Sequence, residues 1–259
     1  MENCKGVRTP IEINDKPIEM LVNKPAEQSL YQSIVGSLLF LSTRTRPDIS
    51  FSVSKASRSC TEPNEGDMCK VKRILRYLKI TSGFGITYKK GKGKIIGFAD
   101  ADWAGDVRDR KSTSGYCFVR NGGAVSWQTS KQNCIALSTC EAEFVSLSGA
   151  CQEAIWLKRL VSEMENKPEE SILIKEDNQA AIAISKDSSN HKKAKHIDIK
   201  FQFSRMAVET KQVELEYCPS NKNIADLLTK GVSTEKFHFF RSEMGVGPPE
   251  SGPSFLEEC

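Results

Sequence analysis

The sequence predicts an α/β fold, a mixed five-stranded sheet flanked by helices and preceded by a small helical module. Three observations lead there. Between residues 27 and 82 apolar residues recur every three to four positions. Between 94 and 128 three short apolar or alternating runs follow one another, two of them joined by Asn121-Gly122. From Ser138 onwards helical and strand patterns alternate.

Residues 1–26 are polar, punctuated by Pro10, Pro17 and Pro25, and read as a linker or arm. Leu30, Ile34, Leu38 and Leu41 give Ser29–Leu41 an apolar helical face. Arg46-Pro47-Asp48 ends that helix, and because proline suits a first turn, a second helix is expected over about 48–59. A third covers Glu65–Leu78, with Met68, Val71, Ile74, Leu75 and Leu78 on one face and Lys70, Arg73 and Arg76 on others. Lys94–Asp100 reads as a strand. Gly115–Arg120 and Ala124–Gln128 read as a hairpin, because Asn-Gly tolerates the positive φ of a tight turn. Ser138-Thr-Cys-Glu141 resembles a capping box opening the longest helix, whose apolar stripe runs from Phe144 to Met164 until Pro168 ends it. Ile172–Ile174 is a short buried strand, Asn178–Ser185 and His196–Thr210 are helical, Val213–Tyr217 is a strand, and a short helix begins near Asn223. Beyond Val246 the run Gly-Pro-Pro-Glu-Ser-Gly-Pro reads as a disordered tail.

With 259 residues and a hydrophobic fraction of 39%, the chain has enough apolar material for one ordinary core and a smaller module. No apolar run approaches the roughly 20 residues needed to span a bilayer, and the first residues lack the basic-then-apolar pattern of a secretory leader. An intracellular, reducing location is therefore expected. Nine cysteines without a Cys-x-x-Cys pair suit buried thiols better than a zinc site. A net charge of +4 does not by itself mark a nucleic-acid binder. Thirteen Lys and Arg residues between Arg44 and Lys94, and the run His191-Lys-Lys-Ala-Lys-His196, have two readings: solvated faces, or a surface that tracks phosphates.

Four acids carry the chemistry. Asp100 closes an apolar strand where a side chain leaves the sheet edge, although with Asp102 and Asp106 nearby a turn role also accounts for it. Glu143 lies in the first turns of the long helix beside Phe144, a place where glutamate otherwise marks a solvated boundary. Asp177 follows a strand and precedes a helix, which suits an N-cap, and Asp226 opens the last short helix, where an acid complements the helix dipole. In this element order the four are expected to converge on one sheet edge, which is what two divalent cations require.

Further segments are Val35-Gly-Ser-Leu-Leu-Phe-Leu41, Thr45-Arg-Pro-Asp-Ile49, Val71-Lys-Arg-Ile-Leu-Arg-Tyr-Leu-Lys79, Asp100-Ala-Asp-Trp-Ala-Gly-Asp106, Ser112-Thr-Ser-Gly-Tyr116, Ala136-Leu-Ser-Thr-Cys-Glu-Ala-Glu-Phe144, Asp177-Asn-Gln-Ala-Ala181, Lys195-His-Ile-Asp198 and Ala225-Asp-Leu-Leu-Thr-Lys230. From about residue 27 to 246, this ordered set resembles the C-terminal portion of the Pol polyproteins of copia-type LTR retrotransposons.

The resemblance implies the end of a reverse transcriptase, a thumb- or connection-like helical module, over 27–90. An RNase H-like domain over 94–230 and a tail over 231–259 would follow. Motif by motif it places metal-binding catalytic acids at Asp100, Glu143, Asp177 and Asp226, with Asp102 and Glu141 as neighbouring alternatives. It implies two Mg²⁺ ions, or Mn²⁺, roughly 3.5–4 Å apart. The implied reaction is cleavage of the RNA strand of an RNA·DNA hybrid to a 3′-hydroxyl and a 5′-phosphate. Contacts to the hybrid are expected from Lys70, Arg73 and Arg76 and from Lys192, Lys195 and His196. An upstream reverse transcriptase chain is an implied partner, a membrane is not, and the implied location is the cytoplasm or a retrotransposon particle, with the nucleus as an alternative. Two departures matter. The chain has no Tyr-x-Asp-Asp palm signature, so polymerisation is not expected, and the loop Cys218–Asn223 lacks the histidine that some RNase H enzymes place there. His191 and His196 read as structural or backbone-contacting. The competing reading is a truncated, catalytically silent transposon remnant that folds and binds nucleic acid.

Overall fold

Helix α1 (Gln28–Arg44) turns Tyr31, Val35, Leu38 and Ser42 inward. Leu30 and Leu41, placed on the apolar face by spacing alone, are instead exposed. The inward face is set one residue further on because Tyr31 anchors it, donating its hydroxyl to Ala56 O at 2.8 Å. After α1 the chain forms a 3₁₀ turn, η1 (Pro47–Ile49), and then α2 (Ser50–Ser57), so the expected second helix starts tight, on its proline. Helix α3 (Glu65–Ile80) opens on a full capping box between Asn64 and Asp67. The computed structural model describes residues 1, 3–13, 21, 24–168, 170–186 and 195–249. Lys192 and the segment 250–259 thus lie outside the described residues.

Arg46 and Asp48 tie this module together. The guanidinium donates to both Asp48 oxygens, at 2.9 and 2.8 Å, and also to Thr81 O and Oγ1. Tyr77 donates to Asp48 Oδ2 at 2.5 Å. The ion pair is fully desolvated, so it persists only because every oxygen of Asp48 has a donor.

The sheet comes next in the chain: β1 (Gly85–Ile86) is a short outlier, and β2 (Ile96–Asp102), β3 (Thr113–Arg120), β4 (Gly123–Lys131), β5 (Ile172–Glu176) and β6 (Val213–Tyr217) form five strands in the order β4-β3-β2-β5-β6. The first three pair antiparallel and β2, β5 and β6 pair parallel, which makes the sheet mixed as expected. Asn121 (φ 53°) and Gly122 (φ 81°) make the β3–β4 turn with positive φ at both positions. Between the strands run α4 (Thr139–Glu165), α5 (Gln179–Lys186) and α6 (Lys195–Glu209), the crossovers that parallel strands need. Ser138 caps α4 by accepting from Glu141 N, but the Glu141 carboxylate accepts from Leu137 N at 2.9 Å, so the reciprocal half of the expected box lands one residue early. Asn166, in the left-handed region, ends α4 two residues before Pro168. Of the cysteines, Cys117, Cys151 and Cys218 are buried and the other described ones are only partly so.

One face of the sheet packs Ala99, Phe118 and Ile174 against Leu147, Ala150 and Cys151 of α4. The other face continues into the helical module: Cys117 and Ala124 join one apolar cluster with Leu38, Ile49, Ile74 and Tyr77. Trp127 of β4 donates to Ser42 O of α1 across this junction at 2.7 Å. Residues 231–247, read from sequence as tail, instead form α7 (Thr234–Glu243) and β7 (Val246–Gly247). Phe237 and Phe240 are buried in the shared cluster, Phe237 stands edge-on to Tyr77, and β7 pairs with β1. Burial of these two aromatic side chains draws the segment in. No described helix is long and apolar enough to cross a membrane.

Tyr77→Phe leaves a buried carboxylate oxygen short of a donor and is expected to lower the unfolding free energy by about 1.5–3 kcal/mol, read by urea unfolding. Arg46→Met, which strands the Asp48 charge itself, should cost more, about 3–5 kcal/mol.

Candidate metal centre

Strands β2 and β5 are neighbours only from Ile96 to Phe98. Past Phe98, β2 runs on beside β3 alone, with Asp100 opposite Gly115. The two parallel strands therefore part towards their carboxyl ends, the usual place for a site in such sheets. Asp100 stands on β2 at its edge, Glu176 and Asp177 at the end of β5, Glu143 in the first turns of α4, and Asp226 in η2 (Ile224–Leu228).

Backbone ties fix these elements. Ser146 of α4 donates to Asp100 O at 2.7 Å, Asn223 donates to Ala99 O at 2.7 Å, and Gln132 donates to Ala142 O at 2.9 Å. The segment carrying Asp226 approaches β3 closely because position 115 is glycine. A Cβ there would lie 2.8 Å from both Leu228 Cβ and Thr229 Cγ2.

The outcome is three carboxylates, Asp100, Glu143 and Asp177, each with an oxygen within 4.8 Å of the others. Asp226 stands outside that trio: its Oδ1 is held by Lys230 Nζ at 2.8 Å, one helical turn along the chain, and the same ammonium lies 3.5 Å from Asp100 Oδ2. Thr229 donates its hydroxyl to Asp100. Of the two alternatives, Glu141 is spent on the start of α4, and Asp102 lies beside the site, folded over Gly105.

Burial and mutual repulsion dominate the electrostatics. Asp100, Glu143, Glu176 and Asp226 are respectively 1%, 7%, 0% and 2% exposed. Burial, then the charges of Glu176, Asp100 and Asp177, pushes the Glu143 carboxyl up to about 11. Glu176 is held well above the usual range, by burial and by Asp177 and Asp100, against the Asn178 N–H that supports its charge. Asp226 is pushed up to about 7 by burial and Asp100, with Lys230 opposing. Asp177 is raised by burial, and the Ser220 hydroxyl counters the rise. Burial disfavours the Lys230 charge, yet Asp100 and Asp226 outweigh it and hold the ammonium above its usual range.

Asp100 Oδ1, Glu143 Oε2 and Glu176 Oε2 are buried without a hydrogen-bond partner. Buried carboxylate oxygens lacking donors, in an all-oxygen set, fit a hard divalent cation such as Mg²⁺ or Mn²⁺.

Sequence reasoning missed Glu176 and Lys230. The signal for Glu176 is parity: Ile172, Ile174 and Glu176 share the buried side of β5. The signal for Lys230 is its spacing of four from Asp226. The expected phosphate contacts do not form one row. Arg73 pairs with Glu12 at 2.6 Å and Arg76 donates to Lys5 O, so both hold the N-terminal residues to α3, whereas Lys70 lines a cleft that also reaches Lys230. Lys195 and His196 lie in α6, and their side chains are outside the described residues.

A mixed sheet in this strand order, with a carboxylate cluster where its two central strands part, defines the RNase H-like class of α/β folds. The chain is 37% identical over 252 residues to the retrovirus-related Pol polyprotein from transposon TNT 1-94 of Nicotiana tabacum, a match covering 95% of the chain and 19% of that protein. With the corresponding protein from transposon RE1 of Arabidopsis thaliana it shares 34% identity over 247 residues, 95% of the chain and 17% of that protein. The chain belongs to the Pol polyproteins of copia-type retrotransposons and represents their C-terminal region. It spans about a fifth of the length of these relatives. It is also 46% identical over 128 residues, 49% of the chain and 90% of the relative, to a protein of Plasmopara viticola named secreted RxLR effector protein 161. No family model matches the chain. Among solved structures it is similar to RNase H1 from the halophilic archaeon Halobacterium salinarum, at 16% identity and a TM-score of 0.38 over 53% of this chain and 95% of that one. It is similar too to LC11-RNase H1 in complex with an RNA/DNA hybrid, at 15% identity and a TM-score of 0.40 over 52% and 94%.

The raised acids set the sign of a pH effect. Folded Glu143 keeps a proton that the unfolded chain releases near its ordinary value of about 4.5, so its contribution to stability is full below that pH and is lost as pH rises towards the folded value. In chelator, Glu143→Gln should therefore gain thermal stability relative to wild type between about pH 5 and pH 8. Mg²⁺ should raise the wild-type midpoint more at the higher pH. A variant that loses ground over that interval contradicts the assignment.

Proposed function

We propose that this chain is a ribonuclease H that cleaves the RNA strand of RNA·DNA hybrids by metal-dependent hydrolysis, leaving a 3′-hydroxyl and a 5′-phosphate. The observation that carries the proposal is the convergence of Asp100, Glu143 and Asp177, the first two of which each bury an oxygen that has no donor. Asp100, Glu143 and Asp177 would hold the cations, with Glu176 buried beside them. Divalent cations bound there would supply an activated water and neutralisation of charge on the leaving oxygen. Lys230 balances Asp226 and Asp100 in the resting protein, and Thr229 and Ser146 orient Asp100 through its side chain and its backbone. Substrate choice rests on hybrid shape and 2′-hydroxyls rather than base sequence. An upstream polymerase chain is a proposed partner, since the relatives are several times longer.

One observation favours the silent reading, a chain that folds and binds nucleic acid without cutting it: Asp226, although beside Asp100, is engaged by Lys230 and is not part of the mutually close trio. A single experiment decides between them. Purified chain, labelled hybrid and Mg²⁺ should give cleaved RNA, and Asp100→Asn or Asp177→Asn should lower the rate on the order of 100-fold or more. Glu143→Gln should behave likewise and Glu141→Gln should not, while Asp226→Asn should lose less than Asp100→Asn. No cleavage by the wild-type chain in Mg²⁺ or Mn²⁺ would establish the silent reading.

A further inference from the structure

Lys230 stands where a second cation would have to sit. Its Nζ is 2.8 Å from Asp226 Oδ1 and 3.5 Å from Asp100 Oδ2, so one ammonium bridges two buried carboxylates. Asp100 belongs at the same time to the trio with Glu143 and Asp177, and its Oδ1, like Asp226 Oδ1, is buried without a hydrogen-bond partner. The acids thus offer two adjoining positions that share Asp100, the arrangement of a two-ion centre. One of the two already holds a positive charge. An ammonium and a divalent ion cannot occupy the same pair of carboxylates, because each needs the same oxygens and their like charges repel at so short a distance.

The side chain has room to leave. It is 36% exposed, whereas the acids it bridges are almost fully enclosed. It lines a cleft of about 410 Å³ between the helical module and the β2–β3 loop. Asp102 lines the same cleft, and its carboxyl, raised by burial, is drawn back down chiefly by the Lys230 charge, so an acid stands on the outward path. The backbone is fixed by contrast: Lys230 N donates to Asp226 O at 3.1 Å, and at glycine 231 an added Cβ would lie 2.6 Å from Glu12 O. A flexible stem on a fixed Cα can therefore carry the charge out without moving the segment that holds Asp226.

We propose that Lys230 is a resident counter-ion that keeps the second cation position closed: the chain takes one divalent ion at Asp100, Glu143 and Asp177, and a second enters between Asp100 and Asp226 only as the ammonium withdraws into the cleft. This rests on the reading of the trio as a metal centre. The apparent affinity for the second ion is then its intrinsic affinity reduced to the fraction of molecules in which the ammonium is already withdrawn.

The test is Mn²⁺ binding to the full chain without nucleic acid, followed by the electron paramagnetic resonance signal of free Mn²⁺. The wild type should bind one ion tightly and a second weakly. Lys230→Gln should tighten the second by roughly tenfold or more, well beyond the change at the first, a gain that misfolding does not produce. Lys222→Gln, which removes an exposed charge from the loop before η2, should change neither, and Asp226→Asn in the Lys230→Gln background should abolish the gain. A second measurement needs no variant: acetylation of the wild-type lysines by limiting acetic anhydride, located by mass spectrometry. Lys230 should be protected in chelator and gain reactivity relative to Lys222 at saturating Mg²⁺, and if Lys230→Gln does not fold, this measurement decides alone. Unchanged affinity for the second ion in Lys230→Gln, an equal gain from Lys222→Gln, two equally tight ions in the wild type, or Lys230 labelling that Mg²⁺ leaves unchanged or lowers overturns the gate. The expected gain in a chain that does not cleave hybrid overturns the nuclease reading and leaves the gate standing. A wild-type chain that binds no Mn²⁺ overturns both.

Discussion

Five carboxylates meet one ammonium where β2 and β5 part, and that imbalance is the constraint around which the domain is arranged. Like charges this close and this buried repel, and side-chain hydrogen bonds to the neighbouring backbone hold the supporting elements in place. Ser146, Asn223 and Gln132 each fasten a strand or helix backbone next to an acid, and Gly115 lets the Asp226 segment come within van der Waals contact of β3. These ties end on backbone carbonyls and leave the carboxylates' own unpartnered oxygens untouched. Stability is thereby given up locally where the acids gather, a trade typical of functional centres.

The helical module supplies what the sheet lacks on its second face. The cluster that joins Tyr31, Leu38 and Tyr77 to Cys117, Ala124 and Phe240 makes the two parts share one interior, and the Arg46–Asp48–Tyr77 network sits within it as a polar fixture with little tolerance for error. Arg241 of α7 extends that fixture, donating to the Tyr77 hydroxyl and lying over the Phe84 ring at 4.7 Å. Orientation between module and sheet is set by such pairs, and the cleft beside the carboxylates inherits its shape from them.

Much of this is legible in the sequence, and the reasons are physical. Val213–Tyr217 and the Asn121-Gly122 turn are legible to the residue because local backbone chemistry decides them. Asp100, Glu143 and Asp177 are recognisable as a group because each terminates or begins an element. The illegible parts depend on tertiary choice. The inward face of α1 is set by the Tyr31 hydrogen bond to another helix, and α7 is held by Phe237 and Phe240, which only a preformed apolar surface can recruit. Glu176 is hidden by standing next to a more conspicuous aspartate, although strand parity places it on the buried side. Arg73 and Arg76 look like a binding row because spacing along a helix cannot register that residues from the N-terminus lie across it.

The pairing of β7 with β1 joins the last described strand to the segment that links the helical module to the sheet. Such an arrangement works as a clasp made late in synthesis: until α7 and β7 emerge, the shared apolar surface of the module and the sheet has no cover, and the chain must keep that surface from other partners while it waits. Closure over so long a stretch of chain is slow relative to the local helices that precede it. A nascent chain of this kind therefore depends on residues made after the clustered acids for its own interior, and a break shortly beyond Lys230 would leave both halves present but the interior open.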